Sequence, residues 1–174
     1  MSPSLHAVHL AAIAVYVLST VWLLIALAGI RRVADPAEQR RRLVRQVRPY
    51  NVLSVGAVGV LIISGASALT DMKALYGPGY MLLLWPLTQK LALTFLLTMV
   101  ATYLSFGLAH RLVRAEQGKL PVDPAQLRSM LGRLRGGAYL ALAVAIWTSW
   151  IGYRLSQRAS LIPPAAQHGG VAVP

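Results

Sequence analysis

Two histidines and one lysine stand where charge and coordination chemistry are costly to place. His6 and His9 open the first apolar run of the chain. Their i,i+3 spacing sets both imidazoles on one helical face, from which they could hold a metal ion together. Lys90, with Gln89 beside it, falls about nine residues into the third apolar run. A lysine deep in a membrane helix costs roughly 2.5–3.5 kcal/mol on insertion scales, so one retained there is a candidate for function. Its ammonium can anchor a carboxylate as a point charge. If that helix begins at Met81, Lys90 is ~13 Å deep at ~1.5 Å per residue. If Met81–Trp85 is interfacial, Lys90 is about one turn deep and its stem can carry the charge outward.

The residue types that are missing narrow the chemistry. The chain has 0 Cys, which excludes disulfides, thiolate metal sites, iron–sulfur clusters and thioether-linked haem. Its 5 acidic residues are Asp35, Glu38, Asp71, Glu116 and Asp123, and none lies inside an apolar run. A carboxylate relay across a membrane is therefore not built in. No hydrolase or phosphate-cradling motif is present.

The elements that position these groups follow from hydropathy. The 174 residues are 56% hydrophobic and 13% charged, against roughly 25% charged in soluble domains, and mean hydropathy is +0.58. Four apolar runs predict transmembrane helices over about 8–30, 50–69, 81–110 and 138–153, each near the ~20 residues that cross ~30 Å of hydrocarbon. Together they predict an all-α, polytopic four-helix membrane bundle, a single domain over 1–158 with a flexible tail over 159–174. Met1–His6 carry no Lys or Arg, so the first run reads as a retained helix rather than a cleaved signal. Trp85-Pro86 marks a breakpoint at the start of the third run, and Gly77-Pro78-Gly79 a turn before it.

The net charge of +12 is concentrated beside the apolar runs. Loops 31–48 and 111–135 hold nearly all of the arginines, whereas the connection between the second and third runs holds only Lys73. The positive-inside rule then puts both arginine-rich loops in the cytoplasm and both termini outside, in a cytoplasmic (inner) membrane. There the arginines meet anionic lipids, and nucleic-acid binding is not expected. Trp147, Trp150 and Tyr153 form an aromatic belt at the outer end of the last helix.

Depth then restricts which groups can cooperate. His110 lies twenty residues beyond Lys90 on one helix, ~30 Å further inward. Beside Arg111 it suits a helix C-terminus. His9 and His110 cannot share a metal or a haem iron, and His6 and His9 share a face and cannot sandwich a haem. His168 lies in the tail. Thr94, Thr98 and Thr102 continue from Lys90 at i+4 steps, either as a polar path or as hydroxyls bonded back to the preceding turn. Met72 and Met81 flank the outer end, and thioether with imidazole suits copper(I). Ser54, Gly56, Gly59, Ser64, Gly65 and Ser67 give the second helix a small-residue seam for close packing.

Three segments carry a family likeness. "LHAVHLAAIAVYVLSTVW", "RRLVRQVRPYNVLSVGAVGVLIISG" and "YGPGYMLLLWPLTQKLALTFLLTMVATYLSFGLAHRL" resemble the opening helix, the basic lead-in with its small-residue helix, and the third helix of the CopD-like superfamily. That superfamily includes copper-resistance membrane domains and the HemJ-type protoporphyrinogen IX oxidase. The likeness covers roughly residues 5–154. It implies haem b, with His9 and Lys90 at the positions that are functional in the oxidase branch. Tyr16 stands where that branch has Trp, and Tyr103 near a histidine-containing segment. The resemblance thus implies a haem b or copper-related redox role, with oxidoreductase activity of the protoporphyrinogen-oxidase type. His9 and His6 would be ligands, and Lys90 would pair with a propionate or serve as the catalytic cation. The alternative is a noncatalytic accessory subunit without cofactor, packed against a larger redox or photosynthetic complex or against further copies of itself.

Overall fold

The computed structural model describes residues 3–161. They form α1 (Pro3–Ile30), α2 (Pro36–Tyr76), a 3-10 segment (Gly77–Leu83), α3 (Leu84–Thr102), a π segment (Tyr103–Ala109), α4 (His110–Glu116) and α5 (Pro124–Ala159). The 3-10 segment, α3, the π segment and α4 run on without a break, so the described residues make four long rods and no strand. Each rod is long and apolar enough to cross a membrane. The chain is an all-α, multi-pass four-helix bundle.

The rods outlast the spans expected from hydropathy. Residues 31–48 were expected as a loop, but only 31–35 connect α1 to α2. Asp35 caps α2, accepting from the backbone N–H of Ala37 at 3.0 Å and of Glu38 at 3.3 Å, and Pro36 occupies the first turn, where its missing N–H costs nothing. The helix passes through Pro49, beside exposed Arg45 and Arg48, where water can satisfy the carbonyl that Pro49 leaves free. At 41 residues α2 is about 60 Å long, twice the hydrocarbon thickness. The expected 111–135 loop is likewise mostly helical. Only 117–123 link α4 to α5, and Asp123-Pro124 repeats the same start signal, with Asp123 accepting from Gln126 N–H at 2.6 Å. The short helix that the sequence allows near Pro124 and the span expected from about Ala138 are thus one continuous helix. Between the second and third rods, α2 runs to Tyr76 and closes on Gly77, whose φ of 48° favours glycine. Pro86 does not break the third rod; it sits in the first turn of α3, where proline is tolerated. At the far end Ala159 is helical and buried, so the expected tail does not begin there; residues 162–174 and His168 lie outside the described residues.

The acidic residues have structural work. Asp35 and Asp123 are caps, Arg42 pairs with Glu38 at 2.7 Å within α2, and Arg40 pairs with Glu116 at 2.8 Å, tying α2 to α4. The rods form a square. α1 packs on α2 and α5, and α3 packs on α5 and α2, while α1 and α3 occupy opposite corners without packing on each other. One core, including Leu23, Leu43, Val47, Leu104, Leu112, Leu134 and Ala138, draws on all four rods. A second cluster of Leu83, Leu87, Leu155 and Ala159, with Leu69, Met72, Tyr76 and Tyr80 against it, closes the end away from the two arginine-rich connections, beside Arg154 and Arg158.

The expected small-residue seam of α2 divides into two faces. Ser54 and Ser64 are buried toward the interior, but Gly56 and Ser67 are exposed, and a Cβ at Gly56, Gly59 or Gly65 would meet nothing within 4 Å. The outward glycines serve no contact within this bundle.

Candidate functional site

Beneath the apolar cluster at the end away from the two arginine-rich connections, one contact joins α1 to α2 and another joins α3 to α5, within electrostatic reach of each other. His9 comes from α1, half-buried, with Nδ1 2.7 Å from Oγ of Ser64 on α2. Lys90 comes from α3, one turn below buried Leu87. Its Nζ lies against α5 at Gly152, where an added Cβ would stand 3.4 Å away. The Lys90 ammonium and the His6 imidazole are both near enough to His9 to interact with it electrostatically. The two residues singled out by sequence thus stand within electrostatic reach of each other from opposite corners of the square. Lys90 Nζ lies at the level of Gly152, between Trp150 and Tyr153 of the aromatic belt. It is half-buried in the bundle, and among the described residues it makes no ion pair with a carboxylate.

Ser64 bears on which nitrogen of His9 is available. The Ser64 hydroxyl has one proton, and it donates to the Val60 carbonyl at 2.6 Å. In that arrangement its oxygen accepts from His9 and the ring proton is on Nδ1, whereas a Ser64 proton turned to His9 would put the ring proton on Nε2. With the proton on Nδ1, Nε2 carries the free lone pair. A histidine held through one nitrogen with the other bare is the arrangement found at ligating imidazoles.

The remaining candidates are arranged differently. His6 is exposed on the outside of α1. His110 is exposed in the arginine-rich half, a long way along the rod from Lys90. Met72 packs into the apolar cluster and Met81 is 69% exposed. Among the described residues no three His, Asp or Glu side chains gather to hold a metal ion. Thr94 donates to the Lys90 carbonyl and Thr98 to the Thr94 carbonyl, both at 2.9 Å, so their hydroxyls are used within the helix and line no path.

Three features escaped the sequence reading. Ser64 and Gly152 looked like ordinary small residues, and only tertiary structure gives them their partners. The π segment follows Lys90's helix, with the Tyr103 ring laid over Gly107, 3.1 Å from where a Cβ would be. Deeper in the bundle, Tyr16 and Tyr50 are fully buried between α1 and α2. The Tyr50 hydroxyl lies beside Ser54 and Thr20. Yet the side-chain oxygens of Tyr16, Tyr50, Ser54 and Ser105 have no hydrogen-bond partner among the described residues. A buried hydroxyl left unpaired costs about 1–3 kcal/mol, and Ser54 and Thr20 are the groups placed to partner the Tyr50 hydroxyl.

The donor set tests the cofactors that the sequence suggests. One imidazole lone pair beside an ammonium is a poor seat for a bare copper ion, because the ammonium repels it. An imidazole and an ammonium are the donor types that a metal and a carboxylate of one ligand would take. No family model, no curated protein and no solved structure matches this chain.

Proposed function

We propose that this chain is a CopD/HemJ-like protein of the cytoplasmic membrane with a redox role, holding haem b in the outer half of its bundle. The observation that carries this reading is the convergence of His9 and Lys90 from opposite corners of the bundle. His9 supplies Nε2 to the iron, with Ser64 fixing the ring through Nδ1. Lys90 receives a propionate, which gives its buried charge the counter-ion that the protein does not supply. Haem bound there would contribute one-electron chemistry. The apolar cluster of Leu83, Leu87 and Leu155 keeps bulk water away and strengthens the charge pairing below it. The arginine-rich ends of the rods face the cytoplasm, following the positive-inside rule.

The test is a visible spectrum of the purified full-length chain in detergent, as isolated and after titration with haem. We expect a Soret band that His9→Ala abolishes. Ser64→Ala should keep the band with haem affinity lowered by about 10–100-fold. Lys90→Met should weaken binding without removing the band. A His9→Ala protein that binds haem as well as the parent overturns the assignment, and copper retained in metal analysis without haem would favour the copper-related alternative.

A second reading is supported by the outward glycines of α2. Gly56 and Gly59, with Val52, Val60 and Ile63 alongside, offer a close-approach face that no rod of this chain uses. That suits an accessory subunit packed in a larger redox or photosynthetic complex, or a homo-oligomer. A colourless, metal-free chain that is stable only with a partner, and is disrupted by Gly56→Leu, would favour this reading over the first.

A further inference from the structure

The buried serines and threonines of the core fall into two groups. Ser19, Thr20 and Ser64 each donate to a carbonyl of the preceding turn. Ser54 of α2 and Ser105 of the π segment are fully buried and donate to no such carbonyl; their oxygens find no hydrogen-bond partner among the described residues. The Tyr16 hydroxyl and the side-chain amide oxygen of Asn51 share that state. Tyr50, Ser54 and Thr20 are placed to serve one another. Tyr16, Asn51 and Ser105 belong to three different rods and gain nothing from that trio.

These groups stand within two helical turns of one level. Tyr16 lies seven residues from His9, and Ser54 ten from the Ser64 that contacts His9, so both are ~10–15 Å beyond that pair. Counted from the other end, Asn51 lies eleven residues from Arg40 and Ser105 eleven from Glu116, each ~16 Å from the ion pair that joins the two rods. The Tyr16 and Tyr50 hydroxyls are near enough to interact electrostatically between α1 and α2. The helical ladders are irregular at the same level. Pro49 removes a donor from α2, and Tyr103–Ala109 winds as a π segment. Breaks of this kind mark places where water or a side chain inserts between turns, and π turns gather at functional sites. Hydroxyls donate and accept, an amide oxygen accepts, and none of them is charged. A ligand for this set must do both, be small and be neutral. Water meets all three demands and satisfies roughly 2–4 such groups at once. We propose that this layer is an internal hydration site, in which ordered water joins Tyr16 of α1, Asn51 and Ser54 of α2, and Ser105 of the π segment.

The experiment is water-edited solid-state NMR on the uniformly 13C-labelled full-length protein in phosphatidylcholine vesicles. Exposed Lys119 is the wet reference and fully buried Leu43 the dry one. Magnetisation from water should reach the Tyr16 ring and the Ser105 Cβ within about two-fold of its rate at Lys119, because a water in contact is its source, and should lag at Leu43. In the double variant Ser54→Val, Ser105→Val, methyl groups replace both hydroxyls, and the fast transfer to the Tyr16 ring should be lost. Ser67→Val makes the same change on the exposed side of α2 and should keep it. A Tyr16 ring in the parent that lags with Leu43 would overturn the site, and that measurement needs no variant to fold. Fast transfer to Tyr16 that survives the double variant would overturn the serines as the groups that hold the water. Exchanging sodium for potassium or choline should change nothing; a Tyr16 or Ser105 shift that requires one of these cations would put an ion in the layer and overturn water as its occupant.

Discussion

Gly136 and Gly137 are adjacent in α5, and the bundle treats them in opposite ways. A Cβ at Gly136 would meet nothing within 4 Å, whereas at Gly137 it would stand 2.6 Å from Cδ2 of Leu104. Leu104 is fully buried and belongs to the central core, so it has nowhere to move. Replacing either glycine with alanine raises helix propensity by about 1 kcal/mol. Only Gly137→Ala also overpacks the core, at about 1–3 kcal/mol. Gly136→Ala should therefore be neutral or stabilising, and Gly137→Ala should be less stable than Gly136→Ala by about 1–3 kcal/mol. Reversible unfolding in mixed micelles measures the difference. In a Leu104→Ala background the atom that the Cβ strikes is gone, and the cost of Gly137→Ala should disappear, as a coupling energy of about 1–3 kcal/mol. If the two alanine variants agree within about 0.5 kcal/mol, or if the Leu104→Ala background leaves the gap intact, the close approach of α5 to the third rod is refuted.

Further outcomes follow from the buried polar groups and the topology. Lys90→Met removes a charge without a counter-ion, so the apoprotein should unfold at higher temperature even as haem affinity falls; a lower melting temperature without ligand would mean that Lys90 holds the fold together. Tyr50→Phe takes the hydroxyl away from Ser54 and Thr20, which are placed to partner it, and should lower stability by about 1–3 kcal/mol; unchanged or higher stability would mean that the hydroxyl is unpaired. Because the chain has 0 Cys, single cysteines report topology cleanly. With the arginines facing the cytoplasm, Lys119→Cys should be shielded from an impermeant maleimide in intact cells and Lys73→Cys labelled; the reverse pattern would invert the bundle.

The four spans were legible because hydropathy is a sum over many residues and survives any local error. Their true lengths were not. The basic flanks lower the local hydropathy, yet Leu43, Val44 and Val47 bury one face of the α2 extension, and Leu127, Leu131 and Leu134 do the same for α5. Arginines on the other face hid a helix that the apolar positions alone would have suggested. At the site, His9 and Lys90 were readable because an ionisable group in an apolar run is conspicuous. Ser64 and Gly152 were not, since a serine and a glycine in a membrane helix are unremarkable until a neighbour is known. The outward turn of Gly56 and the strain at Gly137 depend on which helices adjoin, and the square's arrangement is not written in any single run.

The His9–Ser64 contact needs only the first two rods, whereas Lys90 meets its neighbour Gly152 only when α5 is in place. During synthesis His9 and Ser64 leave the ribosome well before Gly152, so the Lys90 ammonium gains its α5 wall only when the last helix is in place. A nascent chain stalled after its third helix would hold an imidazole and an ammonium in the membrane with the fourth wall still missing.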